Sequence, residues 1–220
     1  MENRSADRPW VYYTVKIVLY TLYKLFFWFG SRNGSVVDAL PRTEGVIIAP
    51  NHASYLDPPI IGISLGRRVT FLAKEYLFKA PVVGFVLRSI SAFPIKSQKD
   101  DLRSLRELIR VLKNGACVVV FPEGTRSENG ELKDPEIGVG FLALKSAAWV
   151  VPAYISGTYR AFPKGVKFFR PAKVDIRYGR PFRPAEDPAI TGSADPYRAT
   201  VDRIMDEVRR LRTEASARQV

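Results

Sequence analysis

Gly45-Val46-Ile47-Ile48-Ala49-Pro50-Asn51-His52-Ala53-Ser54-Tyr55-Leu56-Asp57-Pro58-Pro59 is the stretch whose reading decides the fold. Gly45–Ala49 is a short apolar run, which predicts a buried strand. Pro58–Leu65 reads as the start of a helix, since a proline in the first turn lacks only a donor that would go unpaired there. The polar residues between them therefore occupy a strand-to-helix turn.

Outward from this turn the pattern alternates. Strands are predicted at Val69–Ala73, Ala92–Ile95, Cys117–Phe121, Val150–Ile155 and Lys173–Tyr178, and helices at Val82–Ile90, Asp101–Asn114, Gly140–Ala148 and Asp195–Arg212. The helix over 101–114 is the clearest. Leu102, Leu105, Leu108, Ile109 and Leu112 share a face, Asp100 or Asp101 caps the start, and Gly115 ends it. Pro196 opens the last helix, with Val201, Ile204, Met205, Val208 and Leu211 on one side. Pro152 inside an apolar strand implies an edge or a bulge. Such alternation predicts an α/β fold: a mixed, largely parallel sheet flanked by helices. No repeat or linker divides it.

Residues 1–9 are polar and read as a frayed end, while residues 10–29 are almost continuously apolar and rich in Trp, Tyr and Phe. A helix of that length could reach across a bilayer. Lys16 and Lys24 lie inside it, and on a helical wheel Thr14, Lys16, Thr21 and Lys24 fall in one half. That arrangement predicts an amphipathic helix lying in the membrane interface rather than a span. The other readings are a core helix and a cleaved signal; no small-residue cleavage site follows. The expected organisation is a membrane-associating helix over 1–30 and a catalytic domain over 31–220.

The 220 residues suffice for one domain with a sizeable core. Lys and Arg number 34 against 22 Asp and Glu, a net charge of +12, which predicts an anionic partner: nucleic acid, membrane surface or phosphorylated substrate. The single cysteine, Cys117, excludes an internal disulfide and lies in an apolar run where a nucleophilic thiolate has no support. The single histidine, His52, excludes a multi-histidine metal site, so no metal is expected. Any imidazole base chemistry must pass through it.

His52 and Asp57 are five apart, about 140° around a regular helix, so they cannot share a helix face. With His52 in the turn and Asp57 at the helix start, the carboxylate can fold back onto the ring and fix its tautomer, leaving the other nitrogen to take a proton. The base could then act on a bound substrate hydroxyl. Ser54 raises a Ser-His-Asp hydrolase as the rival, without a G-x-S-x-G elbow. A second polar cluster, Phe121-Pro122-Glu123-Gly124-Thr125-Arg126-Ser127, follows a buried strand, at the sheet edge where open α/β folds bind ligands. Gly124 permits close backbone approach, and Arg126 suits phosphate oxygens. Phe93-Pro94-Ile95-Lys96 ends a third strand in a cation, and Val151-Pro152-Ala153 belongs to a fourth.

In this order the four blocks resemble the glycerophospholipid acyltransferase family, within it the bacterial 1-acylglycerol-3-phosphate acyltransferases. The resemblance covers roughly residues 45 to 160. Asn51-His52 to Asp57 looks like its NHx4D block, and Phe121 to Ser127 is similar to its FPEGTRS block at every position. The resemblance implies that His52 is the general base and Asp57 its orienting partner. It implies that Glu123, Gly124, Thr125 and Arg126 bind the glycerol phosphate of a lysophospholipid. Acyl-CoA or acyl-carrier protein would be the co-substrate, with no cofactor. The implied product is phosphatidic acid, made at the cytoplasmic face of the cell membrane by a peripheral or monotopic enzyme. One departure stands out: Ser97 occupies the place where the family carries an arginine, and Lys96 lies one residue off, on the opposite face of a strand. Lys96, or Lys99 after a loop rearrangement, would then assist the phosphate, or the acceptor is another lysolipid.

Arg160, Lys164, Lys167, Arg170, Lys173, Arg177, Arg180 and Arg183 are accompanied by one acid, Asp175. With Phe162, Phe168 and Phe169 interleaved, the segment could face an anionic membrane surface, at roughly 1 kcal/mol per cation. It could also bind the phosphates of CoA, or be a solvated face. Nucleic-acid binding would explain the charge but neither the aromatic N-terminal helix nor the four blocks, so no nucleic-acid partner is expected. A non-catalytic lipid-binding protein is the remaining alternative.

Overall fold

The computed structural model describes residues 9–89, 92–95 and 101–217. The expectations for residues 1–8, Ile90, Ser91, Lys96, Ser97, Lys99 and Asp100 fall outside them. In chain order the elements are α1 (Pro9–Phe27), β1 (Gly30–Arg32), α2 (Ser35–Asp38), β2 (Val46–Pro50), α3 (Asp57–Ser64), β3 (Thr70–Lys74), α4 (Pro81–Ser89) and β4 (Phe93–Ile95), followed by α5 (Asp101–Lys113), β5 (Cys117–Val119), α6 (Gly138–Ser146), β6 (Trp149–Ser156), α7 (Thr158–Ala161), β7 (Asp175–Tyr178), α8 (Pro188–Thr191) and α9 (Pro196–Ser216).

The seven strands form one sheet in the order β1-β7-β6-β2-β5-β3-β4. Every pairing is parallel except β6 with β7. The mixed, largely parallel α/β sheet is thus as expected. β2 lies at the centre, and all five of its residues are buried. Alternate residues go to opposite faces. Val46 and Ile48 join Cys117, Val119 and Val151 against α1, α2 and α3, where Tyr23, Phe27, Val37, Ile60 and Ile61 meet them. Ile47 and Ala49 join Val118 and Val150 against α5, α6 and α9, where Leu112, Leu142, Ala143, Val201 and Ile204 close the other core. A strand covered on both sides cannot alternate apolar with polar, which is why these runs are unbroken. Cys117 is buried here, and burial pushes its thiol up to about 12.

Three expectations need correction, and the alternatives at Pro152 are resolved. The stretch over residues 30–42, where the sequence pattern predicts no element, contains β1 and α2; Gly30-Ser31-Arg32 has no apolar alternation and is a strand because it pairs with Asp175-Ile176-Arg177. Of the two settings expected for Pro152, an edge or a bulge, the bulge is the one present, since β6 is interior. The antiparallel ladder on its far side is bulged at Pro152: between the Val150–Phe182 bridge and the Ala153–Tyr178 pair, two residues of β6 face three of the returning chain. The missing N–H therefore falls where the ladder is already interrupted. The polar half of α1 does not all face outward. Lys16 turns inward, its Nζ donating to the Leu65 carbonyl, and burial lowers its pKa despite Asp38. Thr14, Thr21 and Lys24 stay exposed beside Trp10, Ile17, Leu25 and Trp28. The basic segment over 160–183 is not one face either, since Arg177 is buried and Arg183 pairs with Glu44 and Glu186.

α1 is seated by Tyr12, Tyr23 and Phe27, all buried, and by Tyr23 Oη, which donates to the Leu56 carbonyl (3.1 Å). On the opposite face α6 lies so close to α9 that a Cβ at Gly140 would overlap the Tyr197 carbonyl. Gly140→Ala is expected to push the two helices apart at about 1–3 kcal/mol. Urea unfolding should show a lower midpoint at unchanged slope.

Candidate active site

The parallel strands β2, β5 and β6 all end at one edge of the sheet, and each delivers part of the site. β2 ends at Pro50, and the chain turns through Asn51–Leu56 into α3. Asp57 is the first residue of α3, followed by Pro58 and Pro59. Its side chain is 0% exposed. One oxygen, Oδ2, lies 2.8 Å from His52 Nδ1 and accepts from the backbone N–H of Ala53 and of Ser54, both at 2.7 Å. The helix start adds the positive end of its dipole. A carboxylate offers only acceptors, so the His52 proton resides on Nδ1 and the Nε2 lone pair is available. Among the described residues nothing bonds Nε2. Phe121, just past β5, stacks on the imidazole with centroids 3.8 Å apart and planes at 19°. The ring is thus fixed at one nitrogen and one face. β5 ends at Val119, two residues earlier than expected, because Phe121 leaves the ladder after Val120 N–H bonds the Ile48 carbonyl (2.9 Å).

Ser54 is buried; its hydroxyl donates to the Phe162 carbonyl (2.6 Å) and accepts from Leu56 N–H (3.1 Å). It is part of the turn and is not bonded to His52, which removes the hydrolase reading.

The second block closes over the first. Glu123 is 3% exposed; Oε1 accepts from His52 N–H (2.9 Å) and Oε2 from Lys133 N–H (3.1 Å). Burial raises its pKa, opposed by these two N–H groups. Ser127 N–H in turn donates to the His52 carbonyl (2.8 Å). Gly124 has φ +66°, a left-handed turn that suits glycine, and a Cβ there would overlap the Glu136 carboxylate. Thr125 is exposed and accepts from Lys133 Nζ (2.5 Å). Arg126 lies with its guanidinium carbon 3.5 Å from the Tyr55 ring centroid, and its Nη1 is buried with no hydrogen-bond partner among the described residues. The fourth block is joined through Asn51, whose side-chain amide donates to and accepts from the backbone of Ile155 (3.1 and 2.7 Å).

The structure therefore unites His52, Asp57 and Glu123 directly, and brings Arg126 to the same turn through Tyr55. Lys96 lies outside the described residues. The sequence reading passed over Asn51, Tyr55, Phe121 and Phe162 as site residues. Phe121 carried the one available signal, an aromatic at the end of a buried strand bordering the polar cluster. Among the described residues no group of three or more His, Cys, Asp or Glu side chains could hold a metal ion.

Residues 35–156, spanning β2 to β6 and all four blocks, match the acyltransferase family. The chain is 31% identical over 152 residues to a chloroplastic 1-acyl-sn-glycerol-3-phosphate acyltransferase of Arabidopsis thaliana, covering 68% of this chain and 40% of the relative. It is 32% identical over 149 residues to the 1-acyl-sn-glycerol-3-phosphate acyltransferase of Bacillus subtilis, covering 67% and 71%. It thus spans about two fifths of the plant protein and most of the bacterial one. The crystal structure of the 1-acyl-sn-glycerophosphate acyltransferase PlsC from Thermotoga maritima superposes with a TM-score of 0.74 at 29% identity, over 96% of this chain and 84% of that one. With its first strand-to-helix turn, its second polar cluster and the sheet that joins them inside the matched region, this chain belongs to the acyltransferase family.

Proposed function

We propose that the protein transfers a fatty acyl group from a thioester donor, acyl-CoA or acyl-carrier protein, to the free sn-2 hydroxyl of 1-acylglycerol-3-phosphate, giving phosphatidic acid. The observation that carries the chemistry is His52, locked at Nδ1 by a fully buried Asp57 and packed against Phe121, with Nε2 unengaged among the described residues. The Arabidopsis and Bacillus relatives support the acceptor.

In the proposed reaction the acceptor phosphate binds Arg126. Nε2 takes the proton from the acceptor hydroxyl as its oxygen attacks the thioester carbonyl carbon. The tetrahedral intermediate collapses with cleavage of the carbon–sulfur bond, and the departing sulfur receives the proton from the imidazolium. The group ends as an ester, the donor as a free thiol, and His52 is restored. Asp57 stabilises the imidazolium and holds its orientation. No cofactor enters the balance. Glu123 supports this arrangement by holding the backbone N–H of His52, which makes it a positioning group in this reading rather than one that touches the acceptor.

The same reading places the protein on the cytoplasmic face of the cell membrane. No helix among the described residues is long and apolar enough to cross a bilayer. α1 and the residue that follows it instead expose Trp10, Ile17, Leu25 and Trp28, each more than 60% accessible. Phe168 is 81% exposed, and Phe169 joins the patch, its ring 5.7 Å from those of Phe26 and Phe27. The loop bearing these phenylalanines carries Lys167, Arg170 and Lys173, exposed and without an ion-pair partner among the described residues. Apolar aromatics beside unpaired cations suit the headgroup boundary of an anionic bilayer.

Three outcomes are expected. Thiol release from acyl-CoA or acyl-carrier protein should require lysophosphatidic acid and vanish in His52→Ala; release that persists in the variant would remove the base assignment. Asp57→Asn should lower kcat by about 10² to 10⁴ while leaving both KM values nearly unchanged, because it disturbs tautomer and charge at the base. Cosedimentation with phosphatidylglycerol vesicles should fall with rising salt, and should fall at least several-fold when Trp28, Leu25 and Phe168 are replaced by serine. Retention of the triple variant at wild-type level would dismiss this docking face.

A further inference from the structure

Arg126 has an unusual setting for a cation. Its guanidinium carbon sits 3.5 Å from the centroid of the Tyr55 ring, and among the described residues Nη1 is buried without a partner and no carboxylate forms an ion pair with it. A buried guanidinium donor normally has an oxygen to bond. Here the protein supplies a π face instead, which satisfies the charge without consuming any N–H. The donors are therefore left for something that comes from outside.

Tyr55 is also unusual. It lies midway through the turn between His52 and Asp57, yet it is 53% exposed. Its hydroxyl makes no hydrogen bond among the described residues. Its ring contacts Arg126 and, at 6.4 Å and 45°, Phe162. Phe162 is itself fixed by the bond from Ser54 Oγ to its carbonyl. The one turn thus carries the base, the carboxylate that orients the base, and the ring beneath the arginine. Resting on the reading of Arg126 as the cation that receives the acceptor's phosphate, we propose that Tyr55 is a positioning residue that holds the Arg126 guanidinium at a set distance from His52, with its N–H groups turned to an incoming phosphate monoester. The consequence is that the phosphate grip and the proton acceptor are registered by the same six-residue segment rather than by separate loops.

A packing role and a positioning role separate in steady-state kinetics of the full chain, read by thiol release with lysophosphatidic acid as the varied substrate. Tyr55→Leu should raise the acceptor KM about two- to tenfold, the range a cation–π contact supports, with the loss falling on KM rather than on kcat or on the donor KM. Tyr55→Phe and Tyr55→Trp, which keep a π face, should restore the acceptor KM. In an Arg126→Ala background, Tyr55→Leu should add no further loss. A Tyr55→Leu that lowers kcat and leaves the acceptor KM alone overturns the proposal, as does a Tyr55→Phe as poor as Tyr55→Leu. So does a Tyr55→Leu loss that persists undiminished without Arg126. If Arg126→Ala itself leaves the acceptor KM unchanged, the phosphate reading of Arg126 fails and takes this inference with it. If Arg126→Ala raises that KM and Tyr55→Leu does not, only the positioning role of Tyr55 falls.

Discussion

The Asp57 carboxylate is fully buried, and a buried carboxylate without partners costs several kcal/mol. Three N–H groups converge on its Oδ2, from the imidazole of His52 and the backbones of Ala53 and Ser54, at 2.7–2.8 Å. These bonds require the chain to leave β2 in a tight polar turn and to enter α3 at Asp57 itself. That entry angle is available only because β2 is central and α3 lies across its covered face. The carboxylate is at once the anchor of the turn and the partner of the only histidine. The same oxygen serves both roles, so the backbone bonds that shape the turn also set where the imidazole is held.

Two other buried polar side chains tie this turn to its neighbours. Glu123 links it to the segment after β5 through His52 N–H, and Asn51 links it to β6 through Ile155. Ser127 N–H adds a return bond to the His52 carbonyl. A net hydrogen bond is worth about 1 kcal/mol, while an orphaned buried partner costs about 1–3 kcal/mol, so the network defends its geometry more strongly than its gross stability suggests. For a general base this is the useful property. The imidazole is already aimed, and little reorganisation is left to the moment of proton transfer.

α1 bears on the same turn from the other side. Tyr23 Oη bonds the Leu56 carbonyl, one residue before Asp57, and Lys16 bonds the Leu65 carbonyl beyond the end of α3. The helix proposed to meet the bilayer is therefore fixed at both ends of the helix that begins with Asp57. Phe169 extends its apolar surface, and the loop carrying that residue begins at Phe162, the acceptor of the Ser54 hydroxyl. The proposed docking surface and the proposed catalytic turn are thus joined by two hydrogen bonds, from Tyr23 to Leu56 and from Ser54 to Phe162.

Much of this was legible in the residues themselves. Unbroken apolar runs ending in polar clusters marked strands covered on both faces, and the clusters fell at their C-terminal ends because parallel connections put them there. His52 could be singled out as the candidate base, since any imidazole chemistry must pass through the one histidine. The sequence by itself could not determine β1, which is a strand only by pairing, nor the place of Pro152, which is tolerated because the ladder bulges beside it. Nor could it foresee that Glu123 turns inward to the backbone, that Phe121 leaves its strand to cover His52, or that Tyr55 lies under Arg126. Local pattern reports which face of an element is apolar. Which polar group meets which depends on three strands distant in sequence ending at one edge, and only tertiary packing decides that.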